Sequence, residues 1–327
     1  MSALPLQEFK APKSSPIPEV SSLLEVKDLS VAFNQYTSGL RQRELKVINS
    51  LDVDIKPGEV LAVVGSSGSG KSLLAHAILG ILPSNAIVSG TIKYQGRTLK
   101  IEDQLELRGK EIALVPQSVN FLDPLMSVGN QVRIGIRDGD KLKTQREVFK
   151  RYNLKPEVEE FYPFQISGGM ARRVLVSTAV VSGASLVIAD EPTPGLDEKN
   201  LKEALGNFRE LANRGCGVML ITHDIEAALT IADRIAVFYA GTTVEIAPVE
   251  DFSGKGENLR HPYSQALWRA LPQNDFEPIP GSQPLPHELP SGCIFEPRCK
   301  KASPKCQLGN PPARQIRGGM VRCFQGA

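Results

Sequence analysis

Apolar and polar residues alternate from Leu23 to Phe33 in LLEVKDLSVAF, the period of a strand with one buried face. LKVINSLDVDI (Leu45–Ile55) reads as a second strand, and KPGE as the turn after it. The texture then changes. VLAVVG (Val60–Gly65), EIALVPQ (Glu111–Gln117), SLVIADEP (Ser185–Pro192) and GVMLITH (Gly217–His223) carry continuous apolar runs, the mark of strands buried on both faces of a parallel sheet. LLAHAILGIL after the first of these, and helix-like sequence after the last two, read as helices. VSGTIKYQGRTL returns to strand, and RIAVFYAGTTVEIA reads as a closing hairpin. Strands alternating with helices predict an α/β domain with a mainly parallel sheet. From Ser118 to about Val181 the pattern is more helical and more charged, as in an insertion. After about Asp251 prolines multiply and periodicity fades; HPYSQALWRALP (His261–Pro272) is one short helix and the rest reads as loop.

The 327 residues suit one large domain with an appendage, or two domains. The expected division is a flexible Pro- and Ser-rich tail at 1–22, a main domain at 23–250 with its helical part at about 118–181, and an extension at 251–327. A hydrophobic content of 41% is enough for a sizeable core, and a net charge of +2 argues against nucleic acid or an anionic membrane as the main partner. No apolar stretch resembles a secretory signal or is long enough to span a bilayer. The expectation is a cytosolic chain whose membrane role, if any, comes through partners. The charge runs KLKTQREVFKR and RQREL read as solvated faces, and Cys216, opening a buried run, as a small core residue.

GSSGSGKS, Gly65 to Ser72, fits G-x-x-x-x-G-K-[ST] and lies between a buried strand and a helix, the context that the motif needs. Gly65, Gly68 and Gly70 let the backbone wrap closely around phosphate oxygens. The N–H groups of the loop, Ser66, Ser67 and Ser69 among them, and of the helix start face the anion. Lys71 brings charge to the β- and γ-phosphates of ATP, and the Ser72 hydroxyl can ligate Mg²⁺. In SLVIADEP four apolar residues carry Asp190 to the C-terminal end of a strand, where ligands of α/β sheets bind. Asp190 is then a holder of Mg²⁺, and Glu191 is placed to take a proton from the attacking water.

QISGGMARRVLVSTAV (Gln165–Val180) adds a Ser-Gly-Gly turn opening a helix some twenty residues before the Asp-Glu strand. In this order the phosphate loop, Gln117 after ALVP, ISGGM, VIADEP, PGLD and His223 resemble the ATPases of ABC transporters, over Leu23 to about Pro248. The resemblance implies a P-loop ATPase fold with an antiparallel β subdomain and a helical insertion. It implies a head-to-tail pair of such domains, with Ser167, Gly168 and Gly169 contacting a γ-phosphate held by the partner. It also implies Gln117 on Mg²⁺ or water, His223 orienting the water, and an aromatic on adenine, Phe33 first and Tyr36 second. Departures from the general pattern are Ile166, Met170 and Ala171 in the signature and PTPGLD in the D-loop. Met170 is familiar from the peptide-importer branch.

Cysteine is scarce until Cys293, Cys299, Cys306 and Cys323, spaced C-x5-C-x6-C-x16-C. Four thiolates suit tetrahedral Zn²⁺ or an iron–sulfur cluster. RHPYSQALWRALP, PIPGSQP and LPSGCIFEPRC resemble the C-terminal extension of oligopeptide, dipeptide and nickel importer ATPases. That likeness and the wide spacing favour a 4Fe–4S cluster, with Zn²⁺ as the alternative, stapling a small loop-rich extension. The implied partners are a second, different ATPase subunit, two transmembrane permease subunits and an extracytoplasmic substrate-binding protein. The implied place is the cytoplasmic face of the membrane, and the cargo a peptide, nickel or another small solute. The competing reading is a soluble ABC-type ATPase acting on ribosomes or DNA, disfavoured by the single cassette and the importer-type tail.

Overall fold

The computed structural model describes residues 22–36, 42–194 and 198–326. The expected flexible N-terminal tail lies, but for its last residue, outside them. So do Gly195, Leu196 and Asp197 of the D-loop and the side chain of Tyr36.

Chain order begins with β1 (Leu24–Tyr36) and β2 (Gln42–Ile55), paired antiparallel, then β3 (Val60–Gly65) and α1 (Lys71–Leu79). Next come β4 (Ala86–Tyr94), the short β5 (Arg97–Thr98), α2 (Ile101–Leu107) and β6 (Ile112–Val115). Three helices follow: α3 (Val128–Gly135), α4 (Lys141–Arg151) and α5 (Gly168–Val181). The α/β alternation resumes with β7 (Leu186–Asp190), α6 (Glu198–Asn213), β8 (Gly217–Thr222), α7 (Ile225–Leu229) and β9 (Arg234–Tyr239). The chain ends with β10 (Thr242–Pro248), α8 (Pro262–Arg269), α9 (Pro304–Leu308), β11 (Arg314–Ile316) and β12 (Gly319–Val321).

Two sheets result: a four-stranded one in the order β2-β1-β4-β5, and an eight-stranded one in the order β11-β12-β10-β9-β3-β8-β7-β6. In the larger sheet β9, β3, β8, β7 and β6 run parallel. Every residue of β3, β7 and β8 is buried, which is why these strands read as unbroken apolar runs in the sequence. One core forms between the large sheet and the helices on one face. The second fills the space between the large sheet and the antiparallel one, where Leu29, Leu51 and Ile55 meet Leu61, Ile78 and Ile221.

The C-terminal extension departs from the expected loop. β11 and β12 form a hairpin that joins the edge of the main sheet, with Glu245 paired to Val321 and Ile246 to Met320. Cys293, Ile294, Phe295 and Cys306 belong to the main core. A buried ion pair fixes the junction. Arg260 places its guanidinium 3.3 Å from Glu245 and 2.8 Å from Asp251, and also donates to the carbonyls of Ile316 and Arg317. Glu245 in turn accepts the backbone N–H groups of Arg260 and His261. Among the described residues no helix is long and apolar enough to cross a membrane.

Candidate functional site

Parallel order brings three strand ends side by side: β3, then β8, then β7. The Gly65–Ser72 loop leaves β3, His223 follows β8, and Asp190 closes β7 with Glu191 just beyond. Gly65 has no alternative here, since a Cβ on it would stand 2.4 Å from the carbonyl oxygen of Phe238 on β9. Gly70 caps α1 at φ 93°, a left-handed backbone that glycine adopts freely.

Lys71 is buried and turns back on the loop, donating to the carbonyls of Gly65 at 2.9 Å and Ser66 at 3.2 Å. Burial lowers its pKa, and the carboxylates of Glu191 and Asp190 oppose that shift. Ser72 Oγ donates to Asp190 Oδ1 at 3.1 Å. Burial raises the Asp190 pKa, while the Ser72 hydrogen bond lowers it and the Glu191 charge raises it further. A buried carboxylate so placed gains most from a cation. The Ser69 hydroxyl is fully buried without a hydrogen-bond partner among the described residues. A loop with one orphaned hydroxyl, one buried ammonium and a Ser–Asp pair fits phosphate and Mg²⁺ chemically.

Glu191 is held from three sides. Its backbone N–H donates to Ile221 O at 2.9 Å, and its carbonyl accepts from Arg172 Nη1 at 2.7 Å. Its carboxylate meets His223 Nδ1 at 3.0 and 2.9 Å. Its φ is 46°, a left-handed backbone for a residue with a side chain, a conformation that persists only where the surroundings over-determine it. His223 keeps a side chain 65% exposed, while that of Glu191 is 9% exposed. Arg172 reaches further and donates to Gln117 O at 3.3 Å. It thus ties the helical part to the carboxylate loop. Sequence reading missed Arg172, because both of its acceptors are carbonyls of residues far along the chain.

The remaining predicted residues stand apart from this cluster. Ser167 caps α5, its Oγ accepting from Met170 N at 3.3 Å. Added Cβ atoms at Gly168 and Gly169 would meet nothing within 4 Å, so this turn faces open space. No hydrogen bond joins it to the phosphate loop among the described residues. The Gln117 side chain is exposed. Phe33 is half-buried on β1 against the second core, between Leu45 on β2 and Ala86 on β4. Cys216 is buried with its thiol pushed up to about 12, as a core residue would be.

Cys293, Cys299, Cys306 and Cys323 are free thiols. Burial raises the pKa of Cys293 to about 11, and the sulfurs of Cys306, Cys323 and Cys299 push the same way. Burial likewise raises Cys299 and Cys323. Backbone N–H groups two residues on, at Phe295, Lys301 and Gln325, favour the thiolate of Cys293, Cys299 and Cys323 respectively. Among the described residues no group of three or more His, Cys, Asp or Glu is arranged to hold a metal ion, so the expected metal staple is not shown.

A phosphate loop on β3, an Asp-Glu pair ending β7, a histidine after β8 and a Ser-Gly-Gly helix cap together define an ATP-hydrolysing cassette of the ABC type. The family comparisons agree. Residues 48–194 match the ABC transporter family, and residues 244–306 match the oligopeptide/dipeptide transporter C-terminal region. The oligopeptide transport ATP-binding protein AppD of Bacillus subtilis is 34% identical, over 93% of this chain and 97% of its own. The dipeptide transport ATP-binding protein DppD of Haemophilus influenzae is 33% identical, over 92% and 95%. OppD of Escherichia coli is 31% identical, over 94% of both. A solved ATP-binding cassette, dimeric in a post-hydrolysis state with ADP and Pi, superposes with a TM-score of 0.61 over 69% of this chain and 98% of its own, at 24% identity. The chain belongs to the family of ATP-binding proteins of oligopeptide and dipeptide ABC transporters.

Proposed function

We propose that this protein is the ATP-hydrolysing motor subunit of an importer for peptides or a related small solute. The observation that carries the reading is the junction of one chain's phosphate loop, Asp190–Glu191 and His223 with the transporter-type C-terminal region. Gly65–Ser72 binds the phosphates of ATP, with Lys71 turning from the loop carbonyls to the γ-phosphate. Ser72, Asp190 and Gln117 hold Mg²⁺, which neutralises charge on the transferring phosphoryl group. Glu191 takes the proton of the attacking water, and His223 orients it. Phe33 lies under adenine. Ser167, Gly168 and Gly169 remain free to reach a nucleotide on a second, homologous ATPase subunit; their open surroundings support that division of labour. Closing and reopening of the heterodimer drives two transmembrane permease subunits supplied by an extracytoplasmic binding protein, from the cytoplasmic face of the membrane.

The cassette spans 23–250, with its helical part at about 118–181 offering the surface for the permeases. Phe121, Leu125, Ile134 and Phe164 on that part are 60%, 88%, 68% and 75% exposed, unusual for such side chains unless a partner covers them. The four C-terminal thiols take up a 4Fe–4S cluster. The grouping of four unpaired thiols with backbone N–H donors supports this. Zn²⁺ on the same four thiolates is the alternative. Cys299→Ser lowers iron content and the visible absorbance of the purified protein if the cluster is there; zinc in its place identifies the alternative.

Mild-detergent affinity purification from native membranes tests the main reading. Two membrane subunits and a second ATPase are expected to co-purify. Recovery of ribosomes or soluble partners alone would overturn it in favour of the soluble ATPase, which no relative described above supports.

A further inference from the structure

The C-terminal extension reaches the phosphate loop directly. Ser66, the first residue after β3, donates its hydroxyl to Gln283 Oε1, and the same oxygen accepts the N–H of Ala240 at 3.3 Å. Tyr263 sits in the first turn of α8 and is 2% exposed. Its ring lies 4.5 Å from that of Tyr239 and 5.3 Å from that of Phe295. Gln283 is presented by a turn with its own anchor. Arg298 donates Nε to Pro280 O at 2.7 Å and Nη2 to Ile279 O and Gly281 O at 3.1 and 3.0 Å. Its Nη1 reaches the Tyr239 hydroxyl at 3.2 Å. One guanidinium therefore binds the turn before Gln283 to the strand end beside Gly65.

We propose that the extension is a built part of the nucleotide site: Gln283 grips Ser66 and sets the mouth of the phosphate loop, and Arg298 holds the turn that carries Gln283. Both are positioning residues. The Ser66 carbonyl also receives the Lys71 ammonium, so a displaced Ser66 disturbs both the loop backbone and its cation. Anything that unseats the segment around Arg298 then acts on ATP affinity at a distance. This rests on the reading of Gly65–Ser72 as the ATP phosphate site.

The test uses the full chain in its purified transporter complex. Gln283→Ala is expected to raise the Kd and KM for Mg-ATP about three- to tenfold, the range that loss of a neutral hydrogen bond spans. The kcat changes by less than the affinity, because Glu191 and His223 are untouched. Arg298→Met gives the same pattern. In a Ser66→Ala background Gln283→Ala adds nothing further, which a general loss of packing would not produce. Wild-type ATP affinity in Gln283→Ala overturns the proposal. So does an undiminished Gln283→Ala effect without the Ser66 hydroxyl, or a loss confined to kcat. A wild-type complex that binds no ATP overturns the phosphate-site reading itself, and this inference with it.

Discussion

Arg172→Met removes the guanidinium that links Gln117 to Glu191 and keeps most of the side chain's volume. Arg172 donates at 2.7 Å to the carbonyl of a residue held at φ 46°. A hydrogen bond from a charged donor is worth about 1.5–3 kcal/mol, and the left-handed backbone of a non-glycine residue costs about 1–3 kcal/mol to maintain. The two are of the same size, so without Arg172 the Glu191 backbone relaxes and its carboxylate loses the position that the proposed proton transfer needs. At roughly 1.4 kcal/mol per decade of rate, kcat falls about ten- to hundredfold. Arg172 touches no residue of the phosphate loop, so ATP affinity changes by less than about twofold, within the scatter of a surface substitution. Arg172→Lys restores part of the rate, since an ammonium cannot span both carbonyls as a planar fork does. Steady-state ATPase and equilibrium binding of a fluorescent ATP analogue separate the two effects. A wild-type kcat in Arg172→Met, or a parallel loss of affinity and rate, would refute the positioning role.

Three further outcomes follow from the geometry. Arg260→Ala leaves Glu245, which is 0% exposed, without its counter-charge; breaking such a pair costs about 3–5 kcal/mol, visible as a lower urea midpoint, and Glu245→Gln in the same chain recovers part of it. His261 is fully buried, and burial depresses its pKa to about 3 while the Arg322 backbone hydrogen bond opposes the shift. Above pH 6.5 both states are neutral; as the pH falls from there the unfolded chain takes the proton first, so stability drops by about 1.4 kcal/mol between pH 7.5 and 5.5. Urea titrations at the two pH values should differ by that much more in the wild type than in His261→Asn. Gly65→Ala forces a Cβ to within 2.4 Å of Phe238 O, so ATP binding is lost while far-ultraviolet circular dichroism stays native.

The legible parts of this chain were those whose physics is local. β3, β7 and β8 stood out because strands buried on both faces carry uninterrupted apolar runs, and each ends in a residue whose chemistry is recognisable in place. The extension was illegible for the opposite reason. β11 and β12 have three residues each, too few to carry a period; β12 is specified by pairing with Glu245 and Ile246 on β10, and β11 by pairing with β12. Side-chain links across the fold left no trace in spacing either: Gln283 lies 217 residues from Ser66, and Arg172 lies 55 from Gln117. A helical arginine beside another, and a glutamine in a Pro-rich stretch, look like solvated positions until the fold brings their acceptors to them. Phe33 is a milder case, because its packing against Leu45 and Ala86 would serve a core aromatic as well as an adenine platform.

The most direct measurement is uptake of a radiolabelled oligopeptide by cells in which this chain is replaced by its Glu191→Gln variant. Glutamine keeps the size of the side chain and its contact with His223 but cannot act as the proposed base. Uptake is expected to fall to background while the variant still binds ATP and still co-purifies with its membrane subunits. Undiminished uptake, with the variant present at wild-type level and no second copy of the transporter in the cell, would contradict the peptide-importer motor assignment.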